Sequence, residues 1–186
     1  MKKQLVVLIL LIIIFNFFVG CQEESSNNQD TIEYSTYENS ELGFSIEYPS
    51  DWNKLENPQE VPDVTVVFAS PSNEPTKTGN LMVSILDNIL MTMEEFKDAH
   101  IENLSSIISN FTLISEKSIT ISDLPGYEII YTFTEGMYTW RQLEVWTIAN
   151  DILYFLVHQA DQAYYENFAN EIDHMINSFS ITDTGL

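Results

Sequence analysis

The chain has 186 residues and a formal net charge of −21 at pH 7, because 28 acidic side chains outnumber only seven lysine and arginine side chains. A surface with this charge repels phosphates, which excludes nucleic acid as a partner. A single cysteine rules out a disulfide within the chain. A hydrophobic core must therefore stabilise the fold, and the length predicts one domain.

The first twenty residues have the pattern of a secretory signal. Two lysines precede an almost unbroken apolar run over residues 5–19, which is shorter than the roughly 20 apolar residues of a membrane-spanning helix. The run ends at Gly20, and the chain's only cysteine, Cys21, follows, as in the cleavage site of prokaryotic lipoproteins. We expect residues 1–20 to be a signal peptide with a lipobox, and Cys21 to receive a diacylglycerol on its sulfur.

This pattern also predicts location. Two acyl chains anchor a protein stably, so a lipidated Cys21 would hold the protein on the extracytoplasmic face of the cell membrane. The alternative is an ordinary signal peptide with a chance cysteine, or an uncleaved short anchor. Residues 21–40 are rich in Ser, Asn, Gln and acidic side chains. They contain too little apolar surface to offset the entropy of ordering, so we expect a flexible spacer.

Residues 41–186 have the pattern of a folded domain that begins with strands. Alternating apolar residues from Phe44 to Tyr48 predict a half-buried strand that Pro49 ends. Two more strands are predicted over residues 64–69 and 81–86. The prolines and the glycine between these two strands predict a hairpin connection.

A capping box opens the first predicted helix. The hydroxyl of Thr92 can accept from the amide of Glu95, while the Glu95 carboxylate reaches back to the start of the helix. Apolar residues then recur at helical spacing up to about Ser109. We expect this helix to pack on a sheet, with His100 at the boundary of its apolar face.

The second half of the domain predicts a four-strand meander followed by a helix. The predicted strands cover residues 111–121, 127–134, 138–148 and 152–157. We place turns at residues 124–126, 135–136 and 150–151. The last of the four strands is apolar on both faces and should be central. A helical stripe over residues 165–179 and a short strand over 180–182 complete the domain. This order predicts an α+β fold with helices on an antiparallel sheet, not a parallel nucleotide-binding fold.

Three groups of residues resemble the PsbP family. They are Gly43-Phe-Ser-Ile-Glu-Tyr-Pro-Ser-Asp-Trp52, Pro125-Gly-Tyr-Glu128, and Tyr165 with Met175-Ile-Asn-Ser-Phe179. The resemblance covers residues 42–183 and implies the fold of PsbP-like lipoproteins, an α/β/α sandwich around a central antiparallel sheet. The matching motifs are structural. The metal-binding histidine pattern of the photosynthetic members has no counterpart here, so the resemblance implies no manganese, calcium or photosystem role.

The sequence lacks the common motifs of catalysis. It contains no GxSxG elbow, HExxH helix, CxxC pair or Gly-rich phosphate loop. Its three histidines come from separate elements: His100 from a helix face, His158 from the end of the central strand, and His174 from the outer side of the last helix, where we expect solvent as its neighbour. We therefore expect no catalytic residue, no metal ligand and no cofactor, and a protein that is not an enzyme.

Acidic and aromatic groups leave other functions open. Candidates for calcium coordination are Glu94, Glu95 and Asp98, and Glu56, Glu60 and Asp63, but neither set matches an EF-hand loop. Tyr138, Trp140 and Trp146 share one side of a strand and could line a ligand groove, although core packing is the preferred interpretation. We predict a membrane-anchored, non-catalytic PsbP-like domain that binds or supports a protein partner. A divalent-cation or small-ligand binding protein is the first alternative, and a hydrolase is the next.

Overall fold

Two antiparallel sheets and two α helices make up the described part of the chain, which comprises residues 32–59, 61–72, 74 and 77–182 of this computed structural model. The predicted signal peptide and Cys21 lie outside these residues. In chain order the elements are β1 (Tyr34–Asn39), β2 (Phe44–Pro49), β3 (Asn53–Glu56), β4 (Val66–Ala69), β5 (Asn80–Leu86), α1 (Met93–Ile107), β6 (Thr112–Ile121), β7 (Leu124–Glu135), β8 (Tyr138–Ala149), β9 (Ile152–Asp161), a 3-10 turn (Tyr165–Phe168), α2 (Ala169–Ser178) and β10 (Ser180–Ile181).

The larger sheet has the strand order β3-β4-β5-β9-β8-β7-β6. Strand β9 is fourth in this order, and its residues from Leu153 to Ala160 are all buried, which confirms the prediction of a central strand. The predicted hairpin between β4 and β5 is also present, since Val66 pairs with Val83. The smaller sheet has the order β1-β2-β10.

Each face of the larger sheet carries its own hydrophobic core. On one face, Phe96 and Leu104 of α1 pack against a cluster that includes Trp146 and Phe155. On the other face, α2 and the smaller sheet pack together on the larger sheet, with Met175 fully buried among them. This three-layer arrangement confirms the predicted α+β fold with a central antiparallel sheet.

Two tight turns contain consecutive residues in the left-handed region. Asn150 and Asp151 have φ of 51° and 61°, and they form the predicted turn between β8 and β9. The turn predicted at residues 124–126 is wrong, because Ser122 and Asp123, with φ of 49° and 60°, make that connection. Gly126 instead lies inside β7, where a Cβ would approach the Trp146 carbonyl oxygen to 2.7 Å. The glycine thus serves close packing between strands.

Strand β1 corrects the predicted extent of the spacer. Residues 34–39 lie within the segment expected to be flexible, yet they pair antiparallel with β2 along their whole length. The reason is Tyr37, which is 6% exposed and has its ring centroid 5.8 Å from that of Phe44 and 6.0 Å from that of Phe68. A single aromatic residue in a polar segment gives no periodic pattern from which a strand could be predicted. In the structure, Tyr37 completes a core formed by residues that are distant in the sequence.

Helix α1 begins as predicted and ends two residues early. The Glu95 amide donates to the Thr92 hydroxyl, and the Thr92 amide donates to the Glu95 carboxylate, so the capping box is present. The helix ends at Ile107 instead of about Ser109. Neither α1 nor any other helix within the described ranges is long and apolar enough to cross a membrane.

Candidate functional site

A buried polar network joins α1 to the larger sheet. His100 Nε2 lies 2.6 Å from Oε2 of Glu144, a residue of β8. The other carboxylate oxygen, Oε1, accepts from the Tyr131 hydroxyl and from the Gln142 side-chain amide, each at 2.8 Å. His100 is 5% exposed and Glu144 is fully buried. The network therefore places an acid and a base in contact inside the protein.

The expectation that His100 lies at a boundary is wrong. It follows Phe96 and precedes Leu104 by four residues each, so all three point to the same side of α1 and face the sheet. The imidazole is buried because Glu144 supplies a partner for its polar atom. Sequence reasoning missed Glu144, although the alternation of the strand puts it on the same side as Trp146, for which core packing was one interpretation.

Aromatic rings enclose the His100 side of the network. Ring centroids of Phe96, Trp146 and Phe155 lie 5.4, 5.8 and 5.5 Å from that of the imidazole. Burial, and then the nearby Glu144 carboxylate, raise the pKa of Tyr131 well above its ordinary value, so Tyr131 stays a hydrogen-bond donor. The acid–base pair is thus shielded from solvent and connects α1 to the sheet.

His158 is buried on the opposite face of the sheet. Its Nδ1 lies 2.7 Å from the backbone oxygen of Asn80, and its ring packs between Tyr165 and Phe168 at 4.8 and 6.2 Å. Burial lowers the pKa of His158 to about 4, so the ring is neutral at pH 7 and Nδ1 donates the hydrogen bond. These contacts favour a structural role for His158, although its Nε2 is buried without a hydrogen-bond partner.

His174 lies on the outer side of α2, but solvent is not its only neighbour. Its ring stacks on Tyr34 with a centroid distance of 3.7 Å, and its Nε2 is 2.7 Å from Oε2 of Glu47. The His174 side chain is 39% exposed. Burial, followed by the charges of Glu171 and Glu47, raises the pKa of Tyr34. The cluster fastens the start of β1 to α2 and β2.

The acidic residues at the start of α1 serve the helix itself. Lys97 Nζ is 2.8 Å from Oε1 of Glu94 and 3.3 Å from Oδ1 of Asp98. The Tyr127 hydroxyl donates to Glu94, and Glu95 belongs to the capping box. The hydrogen bond from Lys97, and then that from Tyr127, lower the pKa of Glu94. These carboxylates are already neutralised or hydrogen-bonded by neighbours.

The second acidic set lies at the edge of the larger sheet. Glu56 pairs with Lys54 at 2.8 Å, and Asp63 lines a surface depression of about 350 Å³ formed by residues 57–59, residues 61–65 and the end of β5. Glu60 lies outside the described residues. In the described part of the chain, no three His, Cys, Asp or Glu side chains are grouped so that they could hold a metal ion.

The three aromatic candidates divide between core and surface. Trp146 is fully buried and Trp140 is 5% exposed, both in the core beneath α1. Tyr138 is 38% exposed. The tryptophans therefore stabilise the fold and do not line an open groove, while Tyr138 stays on the surface.

Comparisons with known proteins connect this architecture to one family. A family model described as PsbP-like protein matches residues 5–181. The solved structure of cyanobacterial PsbP from Synechocystis sp. PCC 6803 is similar, with a TM-score of 0.62 and 18% identity over 85% of this chain and 98% of that chain. A comparison with curated proteins returned no match.

Two further solved structures share the fold at low identity. LpqN of Mycobacterium tuberculosis, described as involved in cell envelope biogenesis, has a TM-score of 0.61 and 12% identity over 83% of this chain and 93% of that chain. The Ran-binding protein Mog1p of Saccharomyces cerevisiae has a TM-score of 0.60 and 12% identity over 83% and 98%. At these identities the likeness shows the fold and nothing about function.

Proposed function

Because this chain belongs to the PsbP-like family, we propose that it is a lipid-anchored extracytoplasmic protein whose domain binds or supports a protein partner at the cell membrane without catalysing a reaction. One observation carries the non-catalytic part of this proposal. Each of the three histidines has its ring engaged by other residues of the fold.

Histidine is the side chain whose ordinary pKa suits acid–base catalysis near neutral pH. His100 is sealed against Glu144, and His158 is buried and neutral. His174 is the most accessible, but it stacks on Tyr34 and contacts Glu47. The three histidine side chains, which are the usual acid–base catalysts near neutral pH, thus take part in packing between elements. This favours a binding module over an enzyme.

Similar folds lend support to a binding or envelope role. The names of two structural neighbours refer to Ran binding in one case and cell envelope biogenesis in the other. Those roles belong to those proteins. For this chain they support the proposal of an accessory function, and the acidic surface favours a partner that is neutral or basic.

Anchoring rests on Cys21 and its setting. The residue is the only cysteine, it follows a small residue, and an apolar run of signal-peptide length precedes it. Its thioether-linked diacylglycerol would supply the two acyl chains that stable attachment needs.

Replacing the anchor residue tests this proposal. In a prokaryotic host that lipidates exported proteins, the Cys21→Ser variant of the full chain should lose acyl labelling and leave the membrane fraction or keep its signal peptide. Ser25→Ala, four residues away, should retain both labelling and membrane attachment. Incorporation of labelled fatty acid and mass spectrometry of the N-terminal peptide measure the result. Unchanged labelling of Cys21→Ser would contradict anchoring.

A further inference from the structure

Exposed apolar side chains concentrate at one end of the molecule. The six large hydrophobic residues exposed in the described part are Ile32, Leu90, Ile107, Ile114, Met137 and Tyr138. Met137, which is 88% exposed, lies in the turn between β7 and β8, and Tyr138 follows it. We call this end of the larger sheet the Met137 end.

Ile107 and Ile114 lie near the same end. Helix α1 ends at Ile107, and the Ser109 carbonyl just beyond it accepts from the amide of Thr134, close to the end of β7. Strand β6 starts at this end as well, with Ile114 at its bulge. Leu90, in contrast, follows β5 at the opposite end of the sheet.

The chain also enters the domain at the Met137 end. Tyr34, the first residue of β1, pairs with Pro49, and Trp52 beyond that proline has its ring centroid 6.1 Å from that of Phe168. The Phe168 ring sits against Gly79, where an added Cβ would lie 2.6 Å from it. Strand β5 begins at the next residue. Its first residues pair with β9, and the same part of β9 pairs with the first residues of β8. Ile32 therefore lies at this end too.

Exposed carboxylates lie at both ends. The opposite end carries Glu41 between β1 and β2, Asp87 after β5, Asp123 between β6 and β7, and Asp151 between β8 and β9. The Met137 end carries Glu33, Asp51, Glu74, Glu135 and Glu166, of which Glu74 and Glu166 are paired with Lys77 and Arg141. Charge therefore does not distinguish the two ends, whereas exposed apolar side chains do.

The tether reaches only a short distance. Eleven peptide units separate Cys21 from Ile32, and a fully extended chain of that length spans at most about 40 Å. A lipidated Cys21 would hold the Met137 end within that distance of the bilayer. A short tether gives the domain a high local concentration at the membrane. A small apolar contact that is too weak to bind alone can then determine the orientation of the domain.

From this arrangement we propose that the Met137 end is a lipid-contacting surface, with Met137 and Tyr138 resting at the membrane interface. The inference rests on the proposed anchoring through Cys21. Tyrosine suits the boundary between headgroups and acyl chains because its ring is apolar and its hydroxyl is polar. Glu135, just before the turn, stays at headgroup level. The lipid contact leaves the opposite end free for a protein partner.

A fluorescent probe at each end tests the orientation. Met137→Cys and Leu90→Cys are matched, because the native side chains are 88% and 84% exposed and lie at opposite ends. Acylation consumes the Cys21 sulfur, so each variant has one free thiol to label. The acylated full-length variants are incorporated into phosphatidylcholine vesicles that carry a quencher on the lipid acyl chains. We expect quenching at position 137 to be several-fold greater than at position 90.

Mass spectrometry of the same samples separates the possible failures. Absence of an acyl group on Cys21 would overturn the anchoring proposal and this inference together. An acylated protein with equal quenching at the two positions, or none at position 137, would overturn only the lipid contact. Position 137 could instead cross-link to a protein in native membranes and show no quenching in vesicles. This result would mean that the Met137 end contacts a protein and not lipid, and it would overturn the inference as well.

Discussion

Glu144 is a fully buried carboxylate that the fold surrounds with three side chains. His100 contacts Oε2, and Tyr131 and Gln142 both donate to Oε1. Removing one member of such a buried pair leaves the other without compensation in a poorly hydrated site, which destabilises a protein more than the loss of an exposed ion pair. The pair between His174 and Glu47 is an exposed counterpart within the same chain.

We predict that His100→Leu and Glu144→Leu each lower the free energy of unfolding by about 3–5 kcal/mol. The double variant should lose less than the sum of the two, because neither partner is then left buried alone. His174→Leu is the control and should change stability by less than about 1 kcal/mol. Urea unfolding followed by tryptophan fluorescence measures these values. If His100→Leu and Glu144→Leu each change the free energy of unfolding by less than His174→Leu does, and their effects add in the double variant, the network contributes little to stability.

His158 makes stability depend on pH. Its pKa is about 4 in the folded protein, because burial disfavours the charged ring, against an ordinary value of 6.5. Between these values the unfolded chain binds a proton that the folded chain does not, so the stability present above pH 6.5 decreases as pH falls towards 4. The shift corresponds to a loss of about 3 kcal/mol across this window.

The His158→Asn variant should lack this contribution while retaining a donor for the Asn80 carbonyl. We predict that the difference in unfolding free energy between the parent protein and the variant narrows by about 3 kcal/mol from pH 7 to pH 4. Carboxylates titrate in both proteins and cancel in the comparison. Urea unfolding at several pH values provides the measurement, and parallel pH profiles would contradict a buried neutral His158.

At the scale of elements, β1 moves the start of the domain toward the anchor. It forms one edge of the smaller sheet, and its residue Tyr37 reaches the core through Phe44 and Phe68. The Tyr34 ring adds a stacking contact to His174 of α2. A segment predicted to be a spacer therefore couples the tether to two other elements.

We predict that limited proteolysis of the mature chain removes residues before Tyr34 and leaves β1 intact. A chain that starts at Glu41 should be less stable than one that starts at Ile32 by at least about 3 kcal/mol, the loss expected for one large buried aromatic side chain. Thermal unfolding and mass spectrometry of the digests measure these outcomes. If digestion leaves a stable core that begins near Ser40, and the chain that starts at Glu41 is as stable as the longer one, the boundary predicted from the sequence is correct.

At the scale of the whole molecule, charge and apolar surface are distributed differently. The described lysines and the arginine are paired with carboxylates: Lys54 with Glu56, Lys77 with Glu74, Lys97 with Glu94, Lys117 with Glu128, and Arg141 with Glu166. Pairs of this kind with a solvent-exposed partner contribute little to stability, and the remaining carboxylates give the domain its negative charge. Exposed apolar residues gather where the chain enters the domain, which gives the molecule a membrane-facing direction in our proposal.

Local patterns in the sequence determined strands β2 and β4 to β10, both helices, the capping box and the central position of β9, but not β1 or β3. Side-chain alternation and helical spacing depend on neighbours within a few residues, which is why these elements could be predicted. The lone Cys21 determined the anchoring hypothesis in the same way. Tertiary structure decided that His100 meets Glu144, 44 residues away, that Tyr37 brings β1 into the core, and that five of the six large exposed apolar residues of the described part share one end. These contacts depend on which strands pair and which faces meet, and local spacing carries no information about that choice.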